Sequence, residues 1–104
     1  MYTVIQLPEF SDWLHGIKDR PTRIRLANRL RKAQLGNLGG VKPVGGSVWE
    51  MREFFGPGWR MYYILQGELL IVMLGGGDKS TQTADIAKAI SLASLMEIEY
   101  DQED

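Results

Sequence analysis

The stretch VWEMREFFGPGWRMYYILQGELLIVMLG, residues 48–75, decides the fold. Its apolar and polar residues alternate with period two, and two glycine-rich breaks, FGPG and QGE, divide it into three segments. Alternation of this kind bounded by turn residues predicts antiparallel strands over Val48–Phe55, Trp59–Gln66 and Leu69–Gly75. Within the second of these, Trp59, Met61, Tyr63 and Leu65 point one way and Arg60, Tyr62, Ile64 and Gln66 the other. Glu50, Arg52 and Phe54 share a side of the first strand. If the turn holds an odd number of residues, Arg52 lies directly opposite Arg60. Like charges so placed destabilise a sheet. The pair makes physical sense if Glu50 neutralises one arginine, or if a phosphate sits between them; a surface salt bridge is the plainer alternative.

Outward from this meander the pattern changes. YTVIQ predicts a first strand over Tyr2–Leu7, and Ser11 or Asp12 opens a short helix through about Ile17. KDRPT supplies Asp19 as an N-cap with Pro21 in the first turn of a second helix, which Gly36 and Asn37 end. Ile24, Ala27, Leu30 and Ala33 recur at i+3 and predict its buried stripe. Arg25, Arg29 and Lys32 form a basic stripe beside it, equally open to a solvated helix face and to a binding role. KPVGGS adds a short extended piece around Val41–Val44. Ser80 or Thr81 caps a last helix running to about Glu97. Strand, two helices, meander and helix make one α+β domain over residues 1–104, with 97–104 an acidic, flexible tail.

GGGDKSTQ, residues 75–82, looks at first like a nucleotide-binding loop. That loop needs a glycine directly before its lysine so that backbone N–H groups wrap the phosphates. Asp78 stands there instead, and Met73 occupies the position of the leading glycine, so a nucleotide loop is excluded. Lys79, Ser80, Thr81 and Gln82 remain a cluster of donors at a predicted helix start, where anions settle; simple capping accounts for them equally well.

A chain of 104 residues without cysteine and with one histidine holds no disulfide and leaves little basis for a cysteine- or histidine-ligated metal. No metal or cofactor is expected. The first residues lack the basic flank and apolar core of a signal peptide, and the apolar run 69–74 is too short to span a bilayer. The net charge of −1 hides an asymmetry. Residues 18–60 carry ten Lys/Arg against three acids, and residues 85–104 carry six acids against Lys88. A basic middle implies a polyanion partner.

Two blocks taken together carry a family resemblance: GNLGGVKPVGGSVWEMREFFGPGWRMYYIL, residues 36–65, and GGGDKSTQTADIAKAI, residues 75–90. GPGWR followed at this separation by GGDKSTQ closely resembles the HigB-like addiction-module killer proteins, the phage Gp49-like branch of the RelE/ParE toxin superfamily. The resemblance spans about Leu35 to Ile90. It implies a RelE/ParE-like fold of two N-terminal helices packed on a small antiparallel sheet with a C-terminal helix. It also implies the toxin of a type II toxin–antitoxin system, in the cytoplasm, that cuts mRNA on the ribosome. In that chemistry the ribose 2′-hydroxyl attacks the adjacent phosphate without a metal. Arg60 matches the family's strand arginine, and Arg52 and Lys79 fall near its other basic positions. Tyr62 and Glu50 are candidates for proton transfer. Lys42, Arg25, Arg29, Lys32 and Gln82 are expected to contact mRNA or the ribosome. His15 lies in the first predicted helix, so no histidine role carries over, and Tyr100 stands too far along to match a family tyrosine. The implied partner is a helix-turn-helix antitoxin, in a toxin–antitoxin hetero-oligomer. A ParE-like inhibitor of DNA gyrase and a non-catalytic partner in antitoxin autoregulation are the alternatives.

Overall fold

A computed structural model describes the backbone over residues 1–102 and the side chains over 1–97. The elements run β1 (Thr3–Gln6), α1 (Pro8–Gly16), α2 (Arg20–Gln34), β2 (Val41–Gly45), β3 (Val48–Arg52), β4 (Trp59–Gln66), β5 (Leu70–Asp78) and α3 (Gln82–Gln102), with a 3-10 turn at Lys79–Thr81 before α3. The strands form one five-stranded sheet in the order β1-β5-β4-β3-β2. The domain is α+β, and the sheet is mixed: the meander β2 to β5 is antiparallel, whereas β1 lies parallel to β5. A purely antiparallel sheet is therefore corrected at one edge. The N-terminal strand returns through two helices and the meander before its neighbour is made, so local pattern carries no sign of that pairing.

The sheet separates two apolar layers. On one face Met51, Met61, Tyr63, Ile71 and Met73 pack against Phe10 and Leu14 of α1 and Leu26, Leu30 and Ala33 of α2. On the other, Val48, Tyr62, Ile64, Val72 and Leu74 meet Ala89 and Ala93 of α3. Tyr62 and Tyr63 are adjacent yet belong to opposite layers, as period two requires. Two small alanines on α3 let that helix lie close to the sheet.

Helix boundaries follow backbone chemistry more than apolar spacing. α1 starts at Pro8, three residues before the expected opening, because a proline at the first helical position loses no needed N–H. α2 starts where expected, with the Asp19 carboxylate accepting from Thr22 N at 3.2 Å and Thr22 Oγ1 at 2.6 Å. Its buried residues are Thr22, Leu26, Arg29, Leu30 and Ala33, while Ile24 and Ala27 face outward. The predicted stripe was thus out of phase in its first half. A 3.6-residue period through Leu30 and Ala33 passes through Leu26 and Thr22. At the far end, α3 continues through Gln102. Glu97 accepts from the Ser47 hydroxyl. Residues 103–104 and the side chains of 98–102, Tyr100 included, lie outside the described residues, and with them most of the expected acidic tail.

Three consecutive glycines end β5, and two have a steric reason. A Cβ on Gly76 would fall inside the Trp13 ring, and one on Gly77 inside the Asp85 carboxylate. These glycines bring α1 and α3 onto opposite faces of β5. Gly76→Ala is expected to destabilise the domain by about 2–3 kcal/mol through overpacking against the indole, measured as a lower urea midpoint at unchanged slope. Gly75→Ala, with open space at its Cβ position, serves as the mild comparison. Among the described residues no helix is long and apolar enough to cross a membrane.

Candidate functional site

The β3–β4 loop decides the register that the sequence left open. Glu53 N donates to Trp59 O at 2.9 Å, closing five residues, Phe54–Gly58, an odd number. Arg52 is consequently paired with Arg60, and Glu50 with Tyr62. Directly opposed residues share a face of an antiparallel sheet. Two rows therefore run across the α3 face: Lys42, Glu50, Tyr62 and Gly75 in one, and Arg52, Arg60 and Gly77 in the next. Gly75 leaves open space in its row, whereas the space over Gly77 is filled by the Asp85 carboxylate.

Glu50 is the centre of this cluster and is fully buried. Its Oε1 lies 3.5 Å from Arg52 Nε and its Oε2 3.7 Å from Arg60 Nε, within ion-pair reach but too long for hydrogen bonds. Gln82, the first residue of α3, donates Nε2 to Oε2 at 3.0 Å. Arg60 is 6 % exposed, and its Nη1 donates to Gly58 O at 2.6 Å. Gly58 has φ +82°, and a Cβ there would approach Arg60 Nη1 to 3.0 Å and Lys79 Cβ to 3.6 Å. Lys79 itself is exposed and flanks Arg60 across this glycine. Arg52 is about one-third exposed, with its guanidinium 5.2 Å from the ring of Phe54.

Four buried side-chain atoms of the described residues have no hydrogen-bond partner: Glu50 Oε1, Arg52 Nε, Arg60 Nε and Tyr62 Oη. All four belong to this cluster. They face one another: the two Nε atoms point at the Glu50 carboxylate from just beyond hydrogen-bond length, and the Tyr62 hydroxyl lies beside the same carboxylate, so the cluster is loosely paired for so buried a place. Glu50 faces both guanidiniums and the Asp85 carboxylate stands over Gly77 in their row, while Lys79 flanks Arg60, so the cations that reach solvent are Arg52 and Lys79. That exposed edge is chemically suited to an oxyanion.

Tyr62 is fully buried, so its ring is closed to stacking on a base; only its hydroxyl faces the cluster. Burial, then the Glu50 carboxylate, pushes that phenol well above its ordinary value. At neutral pH Tyr62 is a hydrogen-bond donor and no base. Burial likewise pushes Tyr63, in the other layer, up to about 12. Both phenols favour the folded state below the unfolded tyrosine value of about 10, and that contribution is lost as pH rises through their folded values. Ultraviolet titration is expected to show both ionising late, together with alkaline unfolding.

The remaining expected contacts are spread more widely. Arg25 stacks at 3.6 Å over the Phe55 ring and, with Lys32, borders a polar depression of about 200 Å³ on the α2 side, the sheet face opposite the cluster. Arg29 lines the floor of the same depression but presents little surface there. It is buried and spends its guanidinium on the carbonyls of Leu38, Gly40 and Arg52 and on Glu53. Gln82 points inward to Glu50, so it supports the arginine pair where a direct RNA contact was expected. Lys42 is exposed on the edge strand, in the same row as Glu50. The donor run Lys79–Gln82 divides: Asp78 accepts from Ser80 N at 2.8 Å and from its hydroxyl, which holds the Asp78 carboxyl below its usual range. Thr81 Oγ1 donates to Asp85 at 2.6 Å. Capping therefore takes Ser80, and Thr81 turns to Asp85, while Lys79 is left outward. A separate cavity of about 210 Å³, lined in part by Glu9, Trp13, Gly76, Asp85 and Lys88, contains none of the arginine pair.

No family model matches the chain. A protein of Haemophilus influenzae (strain ATCC 51907 / DSM 11121 / KW20 / Rd), described as "Uncharacterized protein", is 38% identical to it over 84 residues, which is 81% of this chain and 85% of the relative. At that identity and coverage, the chain belongs to the same family as this Haemophilus influenzae protein.

Proposed function

We propose that the chain is the toxin of a type II toxin–antitoxin pair, of the HigB-like branch of the RelE/ParE superfamily, and that it cleaves mRNA on the ribosome. The observation that carries this is the pair of directly opposed arginines held around one buried carboxylate, with Arg52 and Lys79 reaching the surface beside it. A phosphodiester carries the negative charge such an edge attracts. In the proposed step the 2′-hydroxyl loses its proton to water as its oxygen bonds to phosphorus, the bond to the 5′-oxygen breaks, and that oxygen takes a proton from water, which leaves a 2′,3′-cyclic phosphate and a 5′-hydroxyl. Charge builds on the non-bridging oxygens, where fixed guanidinium donors in a poorly hydrated site act most strongly. Arg52 is the exposed contact and Arg60 the buried one behind it, with Lys79 and Lys42 extending the positive surface. The Tyr62 hydroxyl is a donor to an oxyanion. Arg25 and Lys32, on another face, steer the chain toward ribosomal RNA. A helix-turn-helix antitoxin is the partner this reading requires, and the cytoplasm its compartment.

The test is 5′-end mapping of a defined mRNA incubated with the protein and programmed ribosomes, beside ribosome-free RNA. Cuts confined to the A-site codon and dependent on ribosomes are expected. Intact mRNA with folded protein would sink the nuclease reading, and relaxed DNA in expressing cells would then favour gyrase inhibition.

A further inference from the structure

We propose that Glu50 is the positioning residue of the arginine pair, and that Gln82 ties its carboxylate to the start of α3. This rests on the oxyanion reading of the cluster, though not on RNA cleavage. Arg52 and Arg60 stand directly opposite each other on neighbouring strands, where two like charges repel. The fully buried carboxylate between them offers one oxygen to each Nε, at 3.5 and 3.7 Å. Each guanidinium is thereby drawn inward by the same edge. Among the described residues, no side-chain hydrogen bond takes up the Arg52 Nη groups, which leaves them free for a ligand. Gln82 Nε2, at 3.0 Å from Oε2, fixes the carboxylate from the helix packed over the same face of the sheet. An amide in place of Glu50 has a single acceptor oxygen, so its NH₂ would confront one of the two guanidiniums.

Charge alone predicts the opposite consequence of removing Glu50. Glu50→Gln makes the local charge one unit more positive, which by Coulomb attraction tightens anion binding. Loss of the arranged pair weakens it. The experiment follows the arginine Nε–Hε resonances of the full chain by NMR during titration with inorganic phosphate. In the wild type, the Arg52 and Arg60 signals are expected to be resolved, slow to exchange, and moved by phosphate. In Glu50→Gln both signals shift and lose protection, and phosphate binding weakens by about ten-fold or more, the loss of one charge-assisted contact. Gln82→Ala, which keeps the carboxylate, guards against a Glu50 variant that does not fold, and is expected to move the same two signals by a smaller amount. Tighter phosphate binding in Glu50→Gln, or arginine signals unmoved in either folded variant, would overturn the proposal. Failure to cleave mRNA would refute the activity and leave these signals as they are.

Discussion

Arg60→Ala is expected to lower ribosome-dependent cleavage by about 10²–10³-fold, the loss seen when one preorganised donor to a developing oxyanion is removed. Arg60 is the innermost cation of the cluster, 6 % exposed, with Nη1 fixed on Gly58 O and Nε facing Glu50. Without it, Glu50 faces Arg52 alone, and the cluster loses its buried positive charge. Screening by solvent is weak at this depth, so the effect should hold at high salt. Lys79→Ala is the informative contrast. That side chain is exposed, and its contribution is expected to be smaller and to fade as ionic strength rises. End mapping on programmed ribosomes reads both, with circular dichroism to confirm that each variant is folded. Cleavage by Arg60→Ala at the wild-type rate would remove the arginine pair from the chemistry. The ribosome-binding candidates Arg25 and Lys32 act at another face, so their loss should weaken association and leave the rate on bound ribosomes unchanged.

How much of this was legible in the sequence depends on the range of the interaction involved. Strands β3, β4 and β5 were visible because alternation is a local property. The facing of Arg52 and Arg60 followed from it once the loop was known to be odd. What needed the structure was long-range. The parallel pairing of β1 with β5 joins residues nearly seventy positions apart, Thr3 with Leu70, and no local pattern encodes it. The Gln82 contact with Glu50 joins a helix start to a strand across 32 positions and turns an apparent RNA contact into a support. Glu50 was visible as a possible counter-ion, since it shares a strand face with Arg52; its complete burial was not. The α2 stripe failed for a different reason. Ile24 and Ala27 are apolar and regularly spaced, yet the helix buries Arg29 in their stead because polar backbone groups elsewhere need its donors.

Arg29→Met is the second large effect, on stability and not on chemistry. Arg29 Nε and Nη2 donate to Leu38 O at 3.2 and 3.0 Å, Nη2 to Gly40 O at 2.7 Å, and Nη1 to Arg52 O at 2.9 Å and Glu53 Oε1 at 3.1 Å. One guanidinium thus satisfies three backbone carbonyls and a carboxylate, and holds the 38–40 loop against the end of β3. The loop is shaped to it: Gly39 sits at φ +67°, where a Cβ would approach the guanidinium carbon to 3.0 Å. Methionine fills much of the volume but donates nothing, leaving those acceptors and the one-quarter exposed Glu53 unpaired. Breaking a buried charge network from one side costs about 3–5 kcal/mol. At about 4–8 °C per kcal/mol for a domain of this size, the melting temperature should fall by more than about 12 °C. Arg29→Lys should recover little, because an ammonium cannot span acceptors arranged around a planar fork. Lys32→Ala, exposed one turn further on, should change stability by no more than about 0.5 kcal/mol. Calorimetry measures all three, and a melting temperature for Arg29→Met close to that of the wild type would refute the structural role. Cleavage assayed well below the variant's melting temperature then separates this structural role from the binding role that the sequence suggested. A residue that holds the loop leaves activity per folded molecule near normal, whereas one that binds RNA loses it at every temperature.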